Sequence, residues 1–275
     1  MRVAAFQFDV LEDDVAANLA LVEQGLRQAA REGCALVCLP EMWPTSFVDV
    51  AERAEQLAER TREAFEHVAS LSAELELVVA GSGFARSALE SGRLTNRLVV
   101  HDRGATLLEY DKVHLFSPTA EGESFVAGDE PPPVVEASAG RLSGAICYDL
   151  RFPEPFRHAY RRGARLLVCP AQWPTPRATH WRALVVGRAV ESQCFVVAAN
   201  RTGRTLVGRR RLELEFPGNS LIVSPHGEVL AEGAGQDGLV SCEVDLDVAR
   251  QLRVRVPVEK DERRELYERW SREPR

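Results

Sequence analysis

Residues 3–8 (Val-Ala-Ala-Phe-Gln-Phe) form a short apolar and partly alternating run, the pattern of a β-strand. The next apolar positions, Val15, Leu19, Val22, Leu26 and Ala30, recur at three- and four-residue steps and predict a helix. Asp13 or Asp14 suits its N-terminal cap and Gly33 its C-terminal one. Ala35–Leu39 is apolar throughout and stops at Pro40, as a strand buried on both faces does. Helices are expected near Val48–Ala58 and Arg60–Leu75, followed by a buried strand over Leu75–Ala80 with Gly81 and Gly83 beyond it. Leu94–His101 and Ala105–Tyr110 read as a hairpin turning at Asp102-Arg103-Gly104. Phe116–Pro133, rich in Gly, Pro, Ser and acids, reads as a long loop, and such loops within compact domains tend to be functional or disordered.

The second half repeats the alternation. Strands are expected over Arg141–Ile146, Arg165–Cys169, Cys194–Ala199 and Leu239–Val244, with helices over Pro153–Arg162 and Arg177–Gln193. Leu221–Leu230 is a hairpin turning at Pro225-His226-Gly227. Strands alternating with helices imply layered α/β packing. No Pro/Gly/Ser linker and no repeat divides the chain, so one mixed α/β domain is expected over residues 1–250. Residues 251–275 form a strongly charged tail, expected as an exposed helix or as an arm reaching a partner subunit.

Composition narrows the class. The chain has 275 residues, a net charge of −7, 45% hydrophobic and 27% charged residues, the profile of a soluble globular protein. An acidic balance disfavours a nucleic-acid partner, which calls for a clustered basic surface. The N-terminus lacks a continuous apolar segment, and no run approaches the roughly 20 residues of a membrane span. A cytoplasmic location with reduced thiols is therefore expected, which leaves the sequon Asn200-Arg201-Thr202 without a role. Six cysteines are too few for a disulfide scaffold.

Two motifs are set aside. Gly233-Ala-Gly235-Gln-Asp-Gly238 matches the dinucleotide fingerprint, but a strand follows it where a phosphate-binding helix would begin. Cys34 and Cys38 have no second Cys/His pair at zinc spacing and read as core cysteines.

Cys147 stands apart, because it ends the strand before Tyr148-Asp149-Leu150-Arg151, where backbone N–H groups can meet a developing anion. On position alone, a core cysteine is as good a reading as a nucleophile. Glu41 follows another strand and is enclosed by Met42, Trp43 and Pro44; Lys112 follows a third. Charges among large apolar groups are expensive unless paired, so partners are expected. A strand-end Glu, Lys and Cys would together make a nucleophile site.

The segments LPEMW, YDKVHLF and GAICYDLRFPE resemble the three signature blocks of the nitrilase superfamily (carbon–nitrogen hydrolases), in the family's order, with similarity from Val3 to about Val244. The resemblance implies an α-β-β-α sandwich that pairs into homodimers, with the charged tail crossing the interface. It implies Cys147 as nucleophile, Glu41 as general base, and Lys112 with the Tyr148 backbone N–H as oxyanion stabilisers. The ammonium is expected to favour the thiolate, and an apolar pocket to raise the Glu41 pKa. A second glutamate that orients Lys112 is expected at Glu121 rather than Glu123, counting back from Gly128. The thioester route implies no metal, nucleotide or flavin.

LPEMW-x-x-SF, KVHLF and CPAQWPTPRATHW look most like the omega-amidase branch, which deamidates monoamides of small dicarboxylic acids. N-carbamoyl amidohydrolases and deaminated-glutathione amidases are the rivals, and a non-catalytic ligand- or partner-binding relative is the alternative from another class. Gln172, Trp173 and Arg177 are expected over Cys147, with Arg177, or else Arg201, meeting a substrate carboxylate. Surface ion pairing is the plain alternative for both arginines.

Overall fold

A computed structural model describes residues 1–50, 53–207 and 211–272. The chain opens with β1 (Arg2–Gln7), α1 (Val15–Arg31), β2 (Cys34–Cys38), α2 (Ala54–Glu74), β3 (Val78–Arg86), β4 (Leu94–Asp102) and β5 (Ala105–Asp111). A one-turn helix α3 (Glu121–Ser124) sits in the long loop before β6 (Val135–Ala137) and β7 (Gly140–Gly144). Then come α4 (Pro153–Arg161), β8 (Leu166–Ala171), α5 (Ala178–Ser192), β9 (Phe195–Asn200), β10 (Thr202–Val207) and β11 (Leu212–Pro217). The chain continues through β12 (Leu221–Val223), β13 (Val229–Glu232), β14 (Gly238–Glu243), α6 (Asp247–Arg255), α7 (Val258–Asp261) and α8 (Arg264–Arg272).

One six-stranded sheet has the order β14-β1-β2-β3-β4-β5, with β1, β2 and β3 parallel. The other runs β13-β12-β9-β8-β7-β6, with β7, β8 and β9 parallel. Period-two side-chain alternation assigns each strand's two faces. Val3, Ala5, Leu36 and Cys38 turn inward against Leu142, Leu166, Val168 and Val197 of the facing sheet. Ala4, Phe6, Val37 and Val79 turn outward against Val22, Leu26 and Ala29 of α1 and Ala64, Val68 and Leu71 of α2. Both faces are apolar, which explains the unbroken apolar runs in the sequence. With Trp181, Val185 and Ala189 of α5 and Phe156 of α4 packed on the second sheet, the layers run helix, sheet, sheet, helix.

The elements expected from the sequence are found with three corrections. The helices expected near Val48–Ala58 and Arg60–Leu75 are one helix, α2; residues 51–52 lie outside the described ones. The strand expected over Leu75–Ala80 starts later, at Val78, and continues through both glycines to Arg86. A Cβ at Gly81 would lie 2.8 Å from the Trp43 ring, and one at Gly83 would lie 2.7 Å from Thr61, so these glycines admit neighbours rather than turn the chain. The third is an addition: β10 and β11 form a hairpin outside both sheets. Residues 233–237 cross from β13 in one sheet to β14 in the other, and Gly238 opens β14.

Candidate active site

The site forms where strand ends from both sheets converge. Parallel strands point their C-termini the same way, and open α/β sheets gather ligands there. Glu41 follows β2, Lys112 follows β5, Cys147 follows β7, and Gln172 and Trp173 follow β8.

Lys112 Nζ donates to Glu41 Oε1 at 2.8 Å and to Glu121 Oε1 and Oε2 at 2.8 and 3.0 Å. Glu121 reaches the lysine because its loop folds back on itself. The Gly128 N–H donates to the Lys112 carbonyl (2.9 Å), and a Cβ at Gly128 would fall 2.3 Å from the Asp111 carbonyl oxygen. Only glycine lets the two segments approach that closely. Glu123 is exposed instead. Burial opposes the Lys112 ammonium, but Glu121 and Glu41 outweigh it and hold the lysine charged well above its ordinary range. Burial likewise raises the Glu121 pKa, against the pull of Lys112.

The two Glu41 oxygens differ. Oε1 accepts from both Lys112 and Asn96 Nδ2 (2.9 Å), whereas Oε2 accepts the Gln172 main-chain N–H at 3.0 Å. The Gln172 side-chain amide also donates to the Glu41 carbonyl at 2.8 Å.

Cys147 has φ +44°, the left-handed region that non-glycine residues seldom occupy. Its turn is clamped by Asp149, a fully buried carboxylate that accepts from Ile146 N (3.0 Å), Tyr110 Oη (3.0 Å), His114 N (3.1 Å) and His114 Nδ1 (2.8 Å). His114 in turn lies flat on Phe152, 3.7 Å between ring centroids. Backbone strain at a reactive residue persists where the surroundings over-determine it.

The thiol corrects one expectation. Burial, followed by the Glu41 carboxylate, pushes the Cys147 pKa well up, and the opposing Lys112 does not overcome them. Cys147 is thereby held toward its thiol form.

These residues line a cleft enclosing about 510 Å³ of empty space, open mouth included. Glu41, Lys112, Glu121, Cys147, Tyr148, Gln172, Trp173 and Arg177 all face it. The Arg177 guanidinium lies over Phe116 (5.3 Å) and its carbonyl holds the Trp173 indole N–H (2.8 Å). Arg201 is elsewhere: wholly buried behind the wall, its guanidinium faces Asp9, Ser46 and Gln172. Sequence reasoning missed Asn96 and the hairpin wall of Val207, Leu214 and Phe216, and gave Arg151, close to the thiol in sequence, no part in the cleft. Arg151 stacks on Trp173 (5.0 Å) at the cleft. The signal for β11 was present in the alternation Leu212-Glu213-Leu214-Glu215-Phe216.

The same architecture occurs in the amidase from Nesterenkonia sp. AN1, seen in a variant with acrylamide added at its active-site cysteine. That structure shares 28% identity and a TM-score of 0.83 with this chain, over 98% of this chain and 99% of the other. Among curated proteins, the 2-oxoglutaramate amidase of Bacillus subtilis (strain 168) is 36% identical over 267 residues, 96% of this chain and 98% of the relative. The deaminated glutathione amidase of Synechocystis sp. (strain PCC 6803 / GT-S) is 31% identical over 254 residues, 87% of this chain and 90% of the relative. Residues 2–254 match the family described as carbon-nitrogen hydrolase. The chain belongs to that family, within the nitrilase superfamily, and its chemistry is amide C–N hydrolysis.

Proposed function

We propose that this enzyme is an omega-amidase-type hydrolase that deamidates short amides bearing a distal carboxylate, through a thioester on Cys147. The observation that carries the reading is the buried Glu41–Lys112–Glu121 cluster lining the same cleft as Cys147.

The thiol needs a base. Glu41 Oε2, with a single main-chain donor, takes the proton, while Oε1 is held by Lys112 and Asn96. The sulfur attacks the amide carbonyl, and Lys112 with the Tyr148 N–H meets the oxyanion. Collapse breaks the C–N bond, the Glu41 proton leaves with ammonia, and the thioester stays on Cys147. Glu41 then deprotonates a water, which cleaves the thioester to a carboxylic acid and restores the thiol. Glu121 orients Lys112 throughout.

Arg177, with Arg151 beside it, is the carboxylate-facing cation, and the hairpin side chains Val207, Leu214 and Phe216 supply an apolar wall for the carbon chain. The relative named 2-oxoglutaramate amidase supports this substrate class. Homodimerisation through the C-terminal tail belongs to the same proposal: Val254 (76% exposed), Val256 and Trp270 (56%) are left uncovered on the single chain. So does a cytoplasmic location, which six unpaired cysteines favour. Among the described residues no helix is long and apolar enough to cross a membrane.

Ammonia release from 2-oxoglutaramate, succinamate, deaminated glutathione and N-carbamoyl amino acids is the test. Fastest turnover of the first two supports the reading, and preference for an N-carbamoyl compound or deaminated glutathione overturns it.

A further inference from the structure

Arg201, the first residue after β9, is 0% exposed. A guanidinium stripped of water must be repaid by protein partners. Here all five N–H donors have one. Nε donates to the Thr202 carbonyl (3.0 Å), Nη1 to Ser46 Oγ (2.9 Å) and Gln172 Oε1 (3.2 Å), and Nη2 to Asp9 Oδ1 (2.5 Å) and the Val10 carbonyl (2.8 Å). The Phe216 ring covers its face at 4.8 Å. Just one of these partners, Asp9, is a carboxylate, and its side chain is 42% exposed. Charge pairing alone therefore does not explain the burial.

The geometry of the five bonds does. An amide side chain such as Gln172 can present either its oxygen or its nitrogen, and its neighbours decide which. By donating to Oε1, Arg201 turns the Gln172 NH₂ toward the Glu41 carbonyl, 2.8 Å away. The same glutamine gives its main-chain N–H to Glu41 Oε2. Ser46, a further Arg201 acceptor, lies five residues after Glu41 in the same loop. Arg201 thus grips the segment carrying Glu41 from one side and the residue holding the Glu41 carboxylate from the other. It does not line the cleft.

We propose that Arg201 is a positioning residue: acting through Gln172, it holds Oε2 of Glu41 where it can take the proton from Cys147. This rests on the reading of Glu41 as the base. Lysine offers three donors from one point and cannot serve five divergent acceptors, so it keeps the charge and loses the grip.

The experiment compares ammonia release by wild type, Arg201→Lys, Gln172→Met and the double variant. Active enzyme is counted in each by iodoacetamide titration of Cys147, so that folded fraction cancels. Each single change is expected to lower kcat by roughly tenfold or more through misplacement of the base, with KM little altered. The double variant should be no worse than the poorer single, because both break one relay. Unchanged kcat in either single variant, a loss confined to KM, or losses that multiply in the double would overturn the proposal. If Arg201→Lys does not fold, Asp9→Ala carries the test, since it removes one of the five acceptors and leaves the other four; kcat should fall and KM hold, and unchanged kcat overturns it. Glu41→Gln separates the two readings: wild-type turnover in that variant means that Glu41 is not the base.

Discussion

Glu41 and Lys112 are 71 residues apart in the chain, yet Lys112 Nζ lies 2.8 Å from Glu41 Oε1 and both side chains are 1% exposed. Glu121 completes the cluster from the other side of the ammonium. Two buried carboxylates therefore share one cation, and each depends on it.

Lys112→Met removes that cation and leaves two buried carboxylates face to face. Breaking a buried pair this way costs about 3–5 kcal/mol. Urea unfolding should show a loss of that order at pH 7, with turnover abolished. A Met variant of wild-type stability would mean that the cluster is solvated.

Glu41→Gln should uncouple thiol reactivity from turnover. After burial, the Glu41 carboxylate is the main influence raising the Cys147 pKa, and Lys112 lowers it. Neutralising position 41 removes the first charge and leaves the second. The pH midpoint for iodoacetamide alkylation of Cys147, followed by peptide mass spectrometry, should then move down. Ammonia release should fall by about 10²–10⁴-fold with loss of the base. An upward shift of the midpoint would contradict the assignment of charges.

How far the sequence was legible depended on the range of the interactions. Val3, Ala5 and their outward neighbours Ala4 and Phe6 announce a doubly buried strand, because apolar pattern follows directly from burial on two faces. The start of α2 was not legible: Arg53 precedes it with no side-chain cap, so nothing local marks the boundary. Cys147, Glu41 and Lys112 stood out through the signature blocks around them. Asn96 did not, for it is one polar residue in a strand until the fold brings it to Glu41. Arg201 was read as a surface or substrate cation, because its five acceptors come from separate stretches of chain and no local pattern brings them together.

Arg177→Ala should discriminate substrates by charge. Its guanidinium is held over Phe116 at the cleft, and losing one partly solvated ion pair should weaken binding of a carboxylate-bearing amide roughly tenfold. KM for 2-oxoglutaramate should rise by that factor, while KM for butyramide, which has no carboxylate, stays within about twofold. Equal effects on both amides would remove Arg177 from the carboxylate site.

His101 gives the fold an acid-sensitive position. It is buried among Phe65 and its neighbours, with Nδ1 bonded to Thr106, and burial lowers its pKa to about 4. The unfolded chain takes up the same proton near pH 6.5, so stability is full above that pH and falls as pH drops toward about 4. The loss over this window is about 3 kcal/mol. Urea midpoints between pH 7 and 4 should fall less steeply in His101→Gln; an identical slope would assign the acid sensitivity elsewhere.

Rapid-quench intact-protein mass spectrometry with 2-oxoglutaramate reads out whether the reaction passes through a covalent acyl group on Cys147. Acid-quenched wild-type enzyme should carry the mass of the substrate minus ammonia, mapped to the Cys147 peptide and sensitive to hydroxylamine, and Cys147→Ala should carry none and release no ammonia. Ammonia release by a folded Cys147→Ala enzyme, or an acyl adduct on any other residue, would contradict it.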